Sequence, residues 1–151
     1  LSLPFQPCND DVFRSAHKPA PESRIRTTHR QLLRGHAVWK WVNTNETERP
    51  RYERASRLAA LEGYWLYVGD PVTLTVRGIP IESPEQTLNK GWNLIGTTCA
   101  TCIGNLNGAH LKGPAWRWDT AASVYRTVEQ LQPCLGYWLN IDRPAIIDCG
   151  R

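Results

Sequence analysis

Hydrophobic and polar positions alternate along this chain in short runs, at residues 37–42 (AVWKWV), 64–68 (YWLYV), 72–77 (VTLTVR), 92–96 (WNLIG), 115–118, 123–128 (SVYRTV), 136–141 and 144–149. Each run is rich in β-branched and aromatic residues and is bounded by Gly, Pro, Asp or Asn, the pattern of strands closed by turns. The expected fold is therefore mostly β with little helix, a small barrel or sandwich. In each half the GYWL run and the run after it are separated by a short turn, at 68–71 and 140–143, which predicts two hairpins. Residues 51–61 (RYERASRLAAL) carry helix formers, but alignment with the strand-like 123–131 favours a strand that ends in a turn. A short helix over Thr28 to Leu33, capped by Thr27 or Thr28, is the other helical candidate.

The same landmarks occur twice. Leu61-Glu62-Gly63-Tyr64-Trp65-Leu66 returns as Cys134-Leu135-Gly136-Tyr137-Trp138-Leu139, 73 residues later. At that offset Tyr52 matches Tyr125, Leu58 matches Leu131 and Pro71 matches Pro144. Upstream stand Trp39-Lys40-Trp41 and Trp116-Arg117-Trp118. Two fused copies packed together are expected, at 1–78 and 91–151, joined by a link at 79–90. The second copy opens on Gly91-Trp92-Asn93-Leu94-Ile95-Gly96. Aligning Leu1-Ser2-Leu3-Pro4-Phe5 with 94–98 leaves the first copy without its GWN triplet, so its first strand reads as truncated. The first copy also holds a basic insertion at about 14–36.

These residues resemble a repeat module of secreted and cell-surface proteins of bacteria and archaea, patterned as GWNL with small residues after it, a Trp-bearing strand, a Tyr, then Leu-x-Pro-Gly-x-Gly-Tyr-Trp. The resemblance covers 91–150 closely and 1–78 more loosely. Where the module has Pro-Gly, this chain has Pro133-Cys134 and Ala60-Leu61. The resemblance implies an extracellular or cell-surface location, a β architecture appended to larger proteins, and no catalysis.

Composition narrows the picture without changing it. Of 151 residues, 41% are hydrophobic and 21% charged, which allows a packed core and excludes wholesale disorder. No apolar run approaches the roughly 18 residues of a spanning helix, and the first residues lack the pattern of a signal peptide. The absence of Met, also at position 1, suggests a start downstream of translation initiation. The net charge of +4 rests on Arg and concentrates in the first half. Arg24, Arg26, Arg30 and Arg34 in the insertion offer a contact for an acidic surface, an acidic glycan or a protein partner, while Arg without interleaved aromatics makes nucleic acid an unfavoured partner.

The candidate chemistry is sparse. Trp39 with Trp41, and Trp116 with Trp118, each share one strand face. As repeated core they join Tyr52, Tyr64, Trp65, Trp92, Tyr125, Tyr137 and Trp138, with Trp65 and Trp138 expected buried; as exposed pairs they would form platforms that stack on sugar rings. Five cysteines leave one unpaired. A surface setting favours disulfides, Cys134 with Cys149 across the second hairpin and Cys8 with Cys99 or Cys102. The Cys99-x-x-Cys102 spacing also admits a zinc site completed by Cys134 and Cys149, or a redox pair. No HExxH, GxSxG, P-loop or GxGxxG occurs, His17, His29, His36 and His110 are scattered, and the acidic pairs Asp10-Asp11 and Glu46-x-Glu48 read as solvated loop. Asn45-Glu46-Thr47 is a glycosylation sequon. The expectation is a non-enzymatic module without cofactor that serves assembly, attachment or domain spacing. Its partner would be a protein, or a second copy reached through the edge strand Leu1, Leu3 and Phe5. The alternatives are a carbohydrate-binding module and a small zinc- or thiol-dependent protein.

Overall fold

The computed structural model describes residues 2–5, 12–14, 26–28, 37–44, 48–68, 73–75, 84–97, 101–102 and 110–148, with the backbone alone for 2–5, 12–14, 26–28, 73–75, 101–102 and 148. Within them lie fifteen strands: β1 (Ser2–Phe5), β2 (Val12–Arg14), β3 (Arg26–Thr28), β4 (Val38–Val42), β5 (Arg51–Arg54), β6 (Tyr64–Tyr67), β7 (Thr73–Thr75), β8 (Glu85–Leu88), β9 (Gly91–Ile95), β10 (Thr101–Cys102), β11 (Ala115–Asp119), β12 (Val124–Val128), β13 (Gln130–Leu131), β14 (Tyr137–Ile141) and β15 (Ala145–Asp148). The described residues contain no helix, so the protein is mostly β. In particular, none is long and apolar enough to cross a membrane. The ambiguous stretch after residue 51 is a strand followed by turns. Part of the proposed Thr28 to Leu33 helix is instead β3, which pairs in parallel with β7.

Two four-stranded antiparallel sheets dominate. The first runs β1-β6-β4-β5, the second β9-β14-β11-β12. Their cross-strand partners correspond, at an offset of 77 residues for the WxW tryptophans and 73 for the residues they pair with: Trp39 lies opposite Trp65 and Trp116 opposite Trp138, while Trp41 faces Tyr52 and Trp118 faces Tyr125. Smaller sheets, β8-β15, β10-β13 and β2-β7-β3, surround them.

Two expectations, the hairpins and the alignment of the first strand, require correction. The GYWL strands do not form hairpins with the runs that follow them. β14 is already paired on both sides, by β9 and β11, and β6 by β1 and β4, so β15 and β7 turn away to pair with β8 and with β2 and β3. Within the link at 79–90, β8 is a strand that the sequence reading did not include, and its Leu88 is fully buried. The first strand is not cut short relative to β6. Phe5 pairs with Tyr64 and Ser2 with Tyr67, just as Ile95 pairs with Tyr137 and Trp92 with Asn140. By register, Ser2–Phe5 thus matches Trp92–Ile95, three positions from the alignment made on sequence.

Strand alternation gives each sheet two unlike faces. On one face of the first sheet Val38, Tyr64 and Leu66 pack with Ala55 and Val68. On the second, Ala115, Tyr137, Leu139 and Ile141 pack with Leu88, Ile95, Leu131, Ala145 and Ile147. Leu61, from the first half of the chain, is buried in this second cluster. The segment carrying it runs beside β9, where Gly63 N–H donates to Leu94 O (3.2 Å) and Gly96 N–H to Leu61 O (2.7 Å). The opposite faces carry the indoles.

Candidate functional site

The indole faces of the two sheets meet and exchange rings reciprocally. Trp41 of β4 stands edge-on to Trp138 of β14 with centroids 5.3 Å apart, and Trp118 of β11 stands edge-on to Trp65 of β6 at 6.0 Å. Each pair is completed by the tyrosine opposite the WxW tryptophan, Tyr52 at 4.9 Å from Trp41 and Tyr125 at 4.9 Å from Trp118. Tyr52 also reaches Trp138, and Tyr125 reaches Trp65, each at 6.4 Å. Near-perpendicular rings at these separations place the positive ring edge on the negative ring face, the favourable aromatic arrangement.

One residue breaks the correspondence. Trp92, in β9, packs against Trp138 at 6.2 Å and close to perpendicular, whereas the position matched to it by register is Ser2. Trp92 is fixed through its backbone, because Trp41 Nε1–H donates to its carbonyl at 2.8 Å. An asparagine cluster anchors the strand start. Asn93, buried, donates through Nδ2 to Asn89 O (2.7 Å) and Gly91 O (2.9 Å) and accepts from Asn89 N–H, while Asn43 at the end of β4 donates to Lys90 O (3.1 Å). Gly91 has φ +98°, a left-handed value that explains glycine at the head of GWN.

These contacts leave an open groove of about 500 Å³ lined by Trp41, Tyr52, Trp92, Trp116, Tyr125 and Trp138. Among the described residues every lining side chain is aromatic and none is charged. Tyr52, Trp92 and Tyr125 are 46%, 42% and 43% exposed, so their rings are accessible from solvent. Partial burial pushes both phenols above their ordinary range, and the proximity of Tyr125 raises Tyr52 further. Both hydroxyls are therefore neutral at physiological pH, able to donate and to accept.

The aromatic residues expected as core thus divide. Tyr64 and Tyr137 are buried, and each hydroxyl accepts from the backbone N–H five residues earlier, Ala59 (2.8 Å) and Gln132 (2.7 Å). Trp41, Trp65, Trp116, Trp118 and Trp138 are half-buried, and all but Trp116 rest edge-on against a ring of the other sheet; Trp65 and Trp138 are not enclosed as the sequence suggested. Trp39, Tyr52, Trp92 and Tyr125 are exposed. Only their place at the junction of two sheets turns them into a lining, and that placement has no signature in strand periodicity. The unmatched Trp92 was the available signal.

The other candidates fare unevenly. Cys134 is disulfide-bonded and so does not supply a thiolate to a zinc site; the side chains of Cys8, Cys99, Cys102 and Cys149 lie outside the described residues. The hairpin on which the pairing of Cys134 with Cys149 rested does not form. Among the described residues no three His, Cys, Asp or Glu side chains come together as a metal site. Leu1, Arg24, Arg30 and Arg34 lie outside the described residues, and Arg26 is described only as backbone of β3. Leu3 and Phe5 are paired along β6, and β1 is the outer strand of its sheet. Pro4 in that strand has no N–H to offer, which makes it a poor template for a further strand. Set against family models, curated proteins and solved structures, the chain matches none of them.

Proposed function

We propose that this chain is a non-enzymatic attachment module of extracellular or cell-surface type, built from two copies of one β unit, which holds its ligand in the aromatic groove between its two main sheets. The groove carries the reading: six rings converge on one open cleft, and among the described residues no nucleophile, base or carboxylate pair lines it. A cleft of this kind supplies contact area and ring faces, the means of binding without turnover. The identical strand order of the two sheets and their matched cross-strand partners support descent from one unit. Assembly through Leu1 to Phe5 is the weaker reading, since that strand is paired on one side and carries proline.

The test is a screen of glycans, peptides and anionic polymers by intrinsic tryptophan fluorescence. A ligand that shifts the emission of the wild-type protein and not that of Trp92→Ala is the expected result. Silence in every class, with reversible self-association at high concentration, would return the reading to assembly.

A further inference from the structure

Resting on the reading of the groove as a binding site, we propose that its ligand is a short neutral oligosaccharide, stacked on Trp92, Tyr52 and Tyr125. The described lining weighs against the competing chemistries in turn. An anionic or cationic ligand would surrender hydration to a surface whose described lining offers no counter-charge, since none of its six side chains is ionised. A quaternary ammonium needs a cage with a vacant centre. Here Trp138 is in edge contact with Trp41 (5.3 Å), Tyr52 (6.4 Å) and Trp92 (6.2 Å), so the space those three rings share is taken up by its own indole. A polyproline segment draws on side-chain N–H and O–H donors aimed at its carbonyls. The indole N–H of Trp41 is already given to the Trp92 carbonyl, which leaves such a segment one lining donor fewer, and a proline-rich peptide is therefore kept as a competing probe in the experiment.

A neutral sugar meets each remaining feature. Its C–H faces cover exposed indole and phenol rings, its hydroxyls exchange hydrogen bonds with the two tyrosine O–H groups, and it brings no charge that needs a partner. The volume of about 500 Å³ is in the range of small-ligand sites, and the groove is open, as a chain passing through it requires. The single Trp92, unmatched in the first sheet, restricts the site to one per molecule.

The experiment titrates the intact protein with neutral cello-, xylo-, malto- and chito-oligosaccharides, with oligogalacturonate, with a proline-rich peptide and with choline, by calorimetry and tryptophan fluorescence. At least one neutral oligosaccharide should bind with one site per chain. Trp92→Ala should weaken it by about tenfold or more, and Tyr125→Phe by a smaller factor through loss of one hydroxyl. Tyr67→Ala, which removes an exposed ring outside the groove, should leave affinity unchanged. Near-ultraviolet circular dichroism checks that each variant is folded. Binding of the peptide, choline or oligogalacturonate in place of every neutral sugar, lost in Trp92→Ala, would overturn the saccharide and leave the attachment reading standing. Sugar binding that is indifferent to both Trp92→Ala and Tyr125→Phe would overturn the site, and no response from any probe would overturn both.

Discussion

At the scale of single residues, the departures from the module's Pro-Gly pattern find a physical account. Leu61 and Cys134, 73 residues apart, both hold left-handed backbone, at φ 63° and 66°, where a side chain costs about 1–2 kcal/mol. Leu61 offsets that cost by complete burial in the second core, and Cys134 is tethered by its disulfide. Leu61→Gly should therefore destabilise the protein by about 2 kcal/mol in urea unfolding, the lost burial outweighing the relieved strain. Ser123, left-handed at φ 55° but exposed, has no burial to lose, so Ser123→Gly should stabilise by up to about 1 kcal/mol. If both changes destabilise alike, backbone strain at these positions is not released by glycine. The buried tyrosines set the alkaline limit. Burial, and then the hydrogen bond to Glu62, push Tyr64 far above the ordinary phenol range, and burial raises Tyr137 as well. Their folded state keeps protons that the unfolded chain releases near pH 10, so the stability they contribute is complete below that pH and declines as pH rises beyond it. Denaturation midpoints measured from pH 8 to 11 should fall above about pH 10. The slope should be shallower in Tyr64→Phe, at the expense of an unpartnered Ala59 N–H at every pH.

At the scale of elements, the eight alternating runs read from the sequence correspond to β4, β6, β7, β9, β11, β12, β14 and β15, because β-branched and aromatic residues between turn formers suit little else. Their pairing was not legible. A short turn between two strands suggests a hairpin only while the first strand has a free edge, and β14 has none once β9 and β11 are beside it. β8 escaped notice since Glu85-Gln86-Thr87-Leu88 is polar at three of four positions and only Leu88 is buried. The GYW glycine shows how a motif encodes an edge contact. A β-carbon on Gly63 would stand 2.7 Å from the Ile95 carbonyl oxygen and 2.8 Å from Leu94 Cγ, closer than side chains tolerate. Gly63→Ala should then force the 61–63 segment off β9 and cost about 2 kcal/mol or more, read as a lowered denaturant midpoint. An unchanged midpoint would show that the contact relaxes freely.

At the scale of the whole molecule, the two halves do not each enclose their own core. Leu61 of the first half is buried with Ile95 and Tyr137 of the second, and the segment carrying it hydrogen-bonds along β9. Trp41 leans on Trp138 while Trp65 leans on Trp118, so each sheet supplies rings to both aromatic clusters. Edge-on ring pairs add about 0.5–1.5 kcal/mol each beyond the area they cover, and here every such gain is lost when the sheets separate. Unfolding of one half would also expose Leu61 and strip the covered edge of β9, so a half-folded state is penalised from both sides. The chain should consequently unfold in a single cooperative step. Far-ultraviolet circular dichroism, which reports strands, and tryptophan emission, which reports the junction, should trace coincident curves in guanidinium. Trp138→Ala should shift both curves equally to lower denaturant, by about 3 kcal/mol at most, since Trp138 is only half-buried. Emission that changes before the strands are lost would mean that the halves come apart and remain folded, and the groove would then be a hinge between two stable units.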